Sequence, residues 1–172
     1  MNQTQNSAPV DYMQRMRDYY LALGYNNPYQ WAHNADVPFQ ALTKPVNKSR
    51  IGLVTTAAPL KSGAGDQGPG APYNAAAKFY KVYAVDATRD DFLGISHVSY
   101  DRDYTTADDI GGYFPLKALR SAKANGHVGE LSPRFYGLPT NRSQATTLNQ
   151  DCADLLAMLQ EDEVDLAILV AN

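Results

Sequence analysis

The pattern of apolar and polar positions divides the chain into an N-terminal segment and a longer globular part. Over residues 11–23 the apolar residues recur at helical spacing, and Gly24 is a stop signal, so we predict a helix there. Residues 25–48 contain repeated proline and asparagine–proline turns, which predict an irregular arm rich in aromatic residues. We therefore assign residues 1–49 to a helix and arm, and residues 50–172 to one domain.

Strand-like and helical segments alternate through residues 50–172. This alternation predicts an α/β domain with a mostly parallel sheet flanked by helices. The last run, residues 164–170, is apolar throughout, which is typical of a central parallel strand. The segments that support the prediction are residues 51–56, 80–85, 92–95, 116–124, 128–135, 143–159 and 164–170.

The last helix has the clearest pattern in the chain. Ser143 is a good N-cap, and the apolar residues that follow it recur at helical spacing. We expect this stripe, which includes the single cysteine, to pack into the core. Its members are Leu148, Cys152, Leu155, Leu156 and Leu159.

Composition excludes several classes of function. The net charge is −3 and the Lys and Arg residues are scattered, so we predict no binding to nucleic acid. No apolar run approaches the roughly 20 residues of a membrane span, and the N-terminus lacks the apolar core of a secretory signal. One cysteine allows no internal disulfide, which favours a cytoplasmic location. The Gly-rich stretch at residues 62–72 lacks a phosphate-binding pattern.

Polar side chains crowd the stretch that follows the strand-like run at residues 92–95. Open α/β sheets bind ligands at the ends of their strands, so we expect the chemistry of the protein here. A histidine is the natural proton donor, because its charge changes near neutral pH. The candidate residues are Ser96, His97, Tyr100, Asp101 and Arg102.

Structural interpretations of these residues stay open. His97 is equally suited to hydrogen-bonding a strand end, and Asp101 and Arg102 to forming a surface ion pair. His97 and Asp101 have the spacing of metal ligands, but two ligands make no site, so we predict no metal. Thr55 and Thr56 follow the first strand; they either face the same crevice or cap the following turn.

The order and spacing of these segments resemble the selenoprotein B subunit family of glycine, sarcosine, betaine and D-proline reductases. The resemblance covers roughly residues 50–172. Within it the Gly-ended helix follows an FPxxxL element, and SPRFYG precedes the last helix and strand. The matching elements are IGLVTTAA from Ile51, Ser96-His97…Tyr100-Asp101-Arg102, Asp109, Phe114-Pro115-Leu116…Leu119, Gly126 to Gly129, Ser132 to Gly137, and VDLAILVAN.

The resemblance implies a reductase that cleaves the C–N bond of glycine, a glycine derivative or D-proline. It implies a catalytic group of His97, Asp101 and Tyr100, with His97 giving a proton to the leaving amine. Paired hydrogen bonds from an arginine suit the substrate carboxylate. The residues expected to bind substrate are Ser96, Arg102, Thr55, Thr56, Asp109 and Arg134.

In that family a redox pair, selenocysteine or cysteine followed two residues later by cysteine, comes directly after the strand equivalent to the last one here. We therefore expect a selenocysteine or cysteine immediately after Asn172, and expect the printed chain by itself to be inactive. Expected partners are a small amino acid or amine substrate, reductase subunits (a pyruvoyl-type subunit among the candidates) and further copies of the chain. The alternative is a non-catalytic α/β binding or assembly module that pairs with partner subunits. An enzyme of the amino-acid racemase type needs two cysteines, and this chain has one.

Overall fold

The computed structural model describes residues 11–26, 32–59, 81–88, 93–94, 109–139 and 143–170. The contacts within the chain divide it into two units, Met1–Pro38 and Phe39–Asn172. The boundary that the sequence pattern places after residue 49 stays a prediction. No helix in the described ranges is long and apolar enough to cross a membrane.

The first unit contains the predicted N-terminal helix, α1 (Tyr12–Ala22). Asp11 caps it, because its carboxylate accepts a hydrogen bond of 3.0 Å from the backbone N–H of Gln14. The helix ends before Gly24, whose φ of +83° is a left-handed conformation that glycine adopts without strain. Both helix boundaries follow from these two local signals.

The second unit is built on a mostly parallel sheet, which confirms the predicted α/β fold. β1 lies inside the sheet, parallel to β7 on one side and, on the other, parallel first to β5 and then to β6. β3 pairs antiparallel with β6, and β2 and β4 form a separate antiparallel pair. The strands are β1 (Arg50–Thr55), β2 (Ala58–Pro59), β3 (Tyr83–Asp86), β4 (Leu93–Gly94), β5 (Glu130–Leu131), β6 (Arg134–Gly137) and β7 (Leu166–Val170).

The helices of this unit also begin and end near the predicted residues. α2 (Leu116–Ala124) has the predicted bounds and ends before Gly126, at φ +74°. α3 (Gln144–Thr146) begins after Ser143, whose hydroxyl accepts a hydrogen bond of 3.2 Å from the backbone N–H of Thr146. A π-helical turn (Thr147–Asp151) then leads directly into α4 (Cys152–Glu161).

The two faces of the sheet have separate apolar cores, because successive side chains of a strand point to opposite faces. On the face that packs against α2, Leu53 lies with Phe114 and Phe135, whose ring centroids are 4.4 Å apart. On the face that packs against α4, Val54 lies with Tyr136 and Leu155. The unit therefore has three layers: α2, the sheet and α4.

The predicted apolar stripe of the last helix is wrong in part. Leu155 is buried, but Leu148, Cys152 and Leu156 are exposed, and Asp151 is buried instead. Leu155 and Leu156 are neighbours in the regular helix α4, so one residue of rotation decides which is buried: the face of Asp151 and Leu155 packs inward, and that of Cys152 and Leu156 does not. β7 pairs parallel with β1, and its expected place as a central strand stays a prediction.

Candidate functional site

The carboxyl ends of three parallel strands meet around Thr55. Thr55 is in register with Gly137 of β6 on one side and with Val170 of β7 on the other. Hydrogen bonds continue past the strand ends: the N–H of Leu138 donates to the carbonyl of Thr55 (2.9 Å), and that of Thr56 to the carbonyl of Val170 (3.2 Å). We call this end of the sheet, formed by the carboxyl ends of β1, β6 and β7, the carboxyl edge. Open α/β sheets bind their ligands at this end.

On the α2 face of this edge, Thr55 stabilises the turn that follows β1. Its hydroxyl donates to the carbonyl of Tyr113 (2.9 Å) and accepts from the N–H of Ala57 (3.0 Å), and the residue is fully buried. The Tyr83 hydroxyl donates to the carbonyl of Ala57 (2.6 Å). Sequence analysis left two alternatives for Thr55, facing the crevice or capping the turn after β1. The hydrogen bonds of its hydroxyl are those of a turn cap.

Tyr83 is a residue of this edge that sequence analysis did not single out. Its ring lies over Gly137 in the neighbouring strand, where a Cβ would fall 1.9 Å from a ring carbon. Burial raises the pKa of the Tyr83 phenol, so the hydroxyl stays protonated and acts as a donor. An aromatic residue opposite a glycine is a recognisable cross-strand pair, but only once the pairing of the strands is known.

On the α4 face, the helix packs against β1 through residues four apart. A Cβ on Gly52 would lie 3.1 Å from Leu159, and Val54 shares a core cluster with Leu155. Asp151 lies four residues before Leu155, on the same side of the helix. Asp151 is only 1% exposed. The sequence signal for it was its position four residues before a core leucine.

The polar cluster that sequence analysis favoured lies outside the described residues: Ser96, His97, Tyr100, Asp101 and Arg102. The described residues on either side of it belong to the carboxyl edge. Before it, the carbonyl of Leu93 in β4 accepts a hydrogen bond from the Tyr113 hydroxyl at 3.5 Å. After it, Asp109 caps the short 3₁₀ turn Ile110–Gly112, accepting from the N–H of Gly111 at 2.8 Å. That turn leads into Tyr113, which binds Thr55.

Arg134 lies apart from these residues, at the start of β6. It is three residues before Gly137 and therefore roughly 10 Å from the carboxyl edge. Its guanidinium binds Glu161 (2.7 Å) and Asp162 (2.8 Å) at the end of α4. The structure thus brings Thr55 and Thr56 together and leaves Arg134 near the opposite edge of the sheet.

The Arg134 site is a closed polar network. Asp162 accepts hydrogen bonds from Arg134 and from the Tyr136 hydroxyl, which also contacts Ser132 at 2.8 Å. Burial by itself would raise the pKa of Asp162, but these hydrogen bonds outweigh it and hold the pKa below its usual value. Burial, together with the hydrogen bond to Asp162, raises the pKa of Tyr136 to about 12. The network joins the amino end of β6 to α4.

Among the described residues, no group of three His, Cys, Asp or Glu side chains is arranged to hold a metal ion. The side-chain groups at the described part of the carboxyl edge are the hydroxyls of Thr55, Thr56 and Tyr83. Such groups orient a polar ligand and exchange protons. They supply no electrons, so redox chemistry at this edge requires a further group.

Comparison with known proteins gives one consistent family. The glycine/sarcosine/betaine reductase selenoprotein B family matches residues 21–172. Glycine reductase complex component B subunit gamma of Carboxydothermus hydrogenoformans is 26% identical over 138 residues, 79% of this chain and 31% of that protein. The subunit of the same name from Symbiobacterium thermophilum is 25% identical over 152 residues, 86% of this chain and 34% of that protein. The chain spans about a third of the length of these curated relatives. No solved structure matches it.

Proposed function

The chain belongs to the glycine/sarcosine/betaine reductase selenoprotein B family, and from that premise we propose that it forms one side of the active site of a reductase. The substrate class is a small amino acid whose Cα–N bond is cleaved: glycine and N-methylated glycines then lose their nitrogen as ammonia or an amine, whereas the ring of D-proline opens. The observation that carries the proposal is the family match across residues 21–172, in a chain whose first strand ends in a polar carboxyl edge.

We assign proton donation to His97, with Asp101 orienting its ring and Tyr100 beside it. The support is the position of the flanking residues, because both Leu93 and Asp109 connect through Tyr113 to the end of β1.

The substrate carboxylate needs a cation, and Arg102 is the better candidate of the two arginines. Arg134 already binds two carboxylates near the opposite edge. Ser96 and Thr56 complete the binding surface in this proposal. Thr55 and Asp109 then act through the backbone turns that they cap.

A selenocysteine or cysteine directly after Asn172 would supply the nucleophile. Its anion would form a bond to the α-carbon as the C–N bond breaks, with His97 giving the departing nitrogen its proton. A second cysteine two residues later would then attack the selenium or sulfur, releasing the carbon, protonated, as the reduced acid and leaving a bond between the two redox residues that an external thiol must reduce. The described end of β7 lies beside Thr56, since Val170 accepts the hydrogen bond from the Thr56 N–H.

The test is C–N cleavage by the full-length protein assembled with its reductase subunits, measured as release of ammonia or amine from glycine, sarcosine and betaine and as ring opening of D-proline. We expect cleavage of at least one substrate, and His97→Asn to lower the rate about 100-fold or more, the usual loss for a general acid. His127→Asn, an exposed histidine after α2, is the matched control and should leave the rate unchanged. An assembled complex that cleaves none of the four would refute the reductase and favour the non-catalytic module.

A further inference from the structure

A pocket of about 620 Å³ lies at the amino ends of the parallel strands, at the end of the sheet opposite to the carboxyl edge. It is lined by the first residues of β1 and β5, Arg50 and Glu130, and by Asp165, the residue before β7. Its volume is typical of small-molecule sites, which measure about 300–1,000 Å³. β1 has six residues, so roughly 17 Å separate this pocket from the carboxyl edge.

The acidic residues of the pocket are already paired with lysines of the protein. The Asp165 carboxylate accepts hydrogen bonds from the Lys44 ammonium (2.7 Å) and from the backbone N–H of Arg50 (2.8 Å). These hydrogen bonds lower the pKa of Asp165, so its charge is present at neutral pH and neutralises Lys44. Glu130 binds Lys123 at 2.6 Å. Neither carboxylate is left to neutralise a further cation.

The pocket also has hydrogen-bond donors that the protein does not use. Lys48 lines it, and within the described ranges its ammonium group makes no ion pair or hydrogen bond. Arg50 uses one nitrogen, Nη1, to bind the Asp162 carbonyl (2.8 Å) and the Glu163 carboxylate (3.0 Å). Its Nε and Nη2 have no partner among the described residues. An ammonium group and an arginine fork are the groups that bind carboxylates and phosphates.

The residue that holds Arg50 has a strained backbone. Glu163 follows α4 with a φ of +53°, and in the described ranges it is the only residue other than glycine with a positive φ. Glycine is usual at this position of a helix end, because a Cβ is strained there. Stability does not explain the glutamate, since its side chain is 82% exposed and exposed ion pairs contribute little. Strained residues cluster at ligand sites, and Glu163 fixes Arg50 at the wall of this pocket.

We propose that the pocket binds a small organic anion that carries a carboxylate or phosphate group. Arg50 would bind the oxyanion through Nε and Nη2 as a pair of parallel hydrogen bonds, and Lys48 would neutralise its charge. The carboxyl end of α4 lies here and by itself disfavours an anion, but the Arg50 guanidinium offsets this by binding the Asp162 carbonyl. The site is separate from the carboxyl edge and does not depend on the reductase chemistry.

The test is calorimetric titration of the full-length protein in a phosphate-free buffer, with succinate and pyrophosphate as the probes. We expect at least one probe to bind with a Kd below about 1 mM, and its identity shows whether carboxylate or phosphate is recognised. Lys48→Gln should raise that Kd at least tenfold with an unchanged circular dichroism spectrum. Lys117→Gln removes the same charge from an exposed lysine of α2 outside the pocket, and this matched control should leave the Kd unchanged.

A second variant separates the arginine fork from its charge. Arg50→Lys keeps the positive charge but cannot form two parallel hydrogen bonds, so it should also raise the Kd. A full-length protein that binds neither probe would overturn the proposal. Binding that Lys48→Gln and Lys117→Gln weaken equally would also overturn it, because attraction to the charged surface alone would then account for the binding.

Discussion

Replacing Asp162 with asparagine tests whether the network at the end of α4 stabilises the fold. The Asp162 side chain is 10% exposed and accepts hydrogen bonds from Arg134 and Tyr136. Asparagine has the same shape but no charge, and its NH₂ group would face a donor. Hydrogen bonds to charged groups contribute about 1.5–3 kcal/mol each. Because Arg134 is a third exposed and partly screened by water, we take about 2 kcal/mol as the loss in unfolding free energy.

Urea and thermal unfolding measure this loss. For a chain of 172 residues, about 2 kcal/mol corresponds to a fall in Tm of about 4–8 °C. Glu161→Gln is the matched control, because Glu161 also binds Arg134 but its side chain is 71% exposed. An exposed pair contributes at most about 1 kcal/mol, so the control should lose much less than Asp162→Asn.

The pH dependence separates the charge from the shape of the side chain. The folded-state pKa of Asp162 is lower than that of an unfolded aspartate, about 3.9. The ion pair therefore stabilises the fold fully above that pH, and the contribution is lost as the pH falls through the folded pKa. The difference between wild type and Asp162→Asn should shrink below about pH 4. A difference under about 0.5 kcal/mol at pH 7, or one that persists on acidification, would refute the role of the charge.

Two further substitutions test the carboxyl edge by unfolding free energy. Gly137→Ala places a methyl group where the Tyr83 ring lies and should lower the unfolding free energy by about 1–3 kcal/mol. In a chain that already carries Tyr83→Ala, Gly137→Ala should cost much less; if the losses of the two substitutions simply add, the packing of Tyr83 on Gly137 is contradicted. Thr55→Val leaves the buried Tyr113 carbonyl and the Ala57 N–H without their hydroxyl partner and should also cost about 1–3 kcal/mol, whereas a neutral effect would contradict the turn cap.

Local signals were enough to predict most helices and strands, because their causes lie within a few residues. Ser143 and Gly24 mark helix boundaries through their own hydrogen bond and backbone angle, and the structure confirms both. The burial of the last helix was predicted less well. Asp151 and Leu155 share the buried face while Cys152 and Leu156 are exposed, and the apolar spacing does not show which of these neighbouring faces packs inward.

Contacts between distant residues could not be predicted from the pattern. The sequence analysis expected Arg134, in the SPRFYG element, to bind the substrate. Its hydrogen-bond partners in the structure are Glu161 and Asp162, which lie 27 and 28 residues further on, at the end of α4. Likewise, Tyr83 and Gly137 are paired by an antiparallel strand in a sheet expected to be mostly parallel. The roles of residues 96–102 stay predictions that rest on the family and on their described neighbours.

The most direct measurement for the reductase proposal is the nucleotide sequence of the gene across codon 172. The account predicts a TGA or cysteine codon immediately after Asn172, then two codons, a cysteine codon and a continuing α/β pattern. An ordinary stop with no open frame beyond it would contradict the account, because the carboxyl edge of β1, β6 and β7 would then lack the group that cleaves the C–N bond.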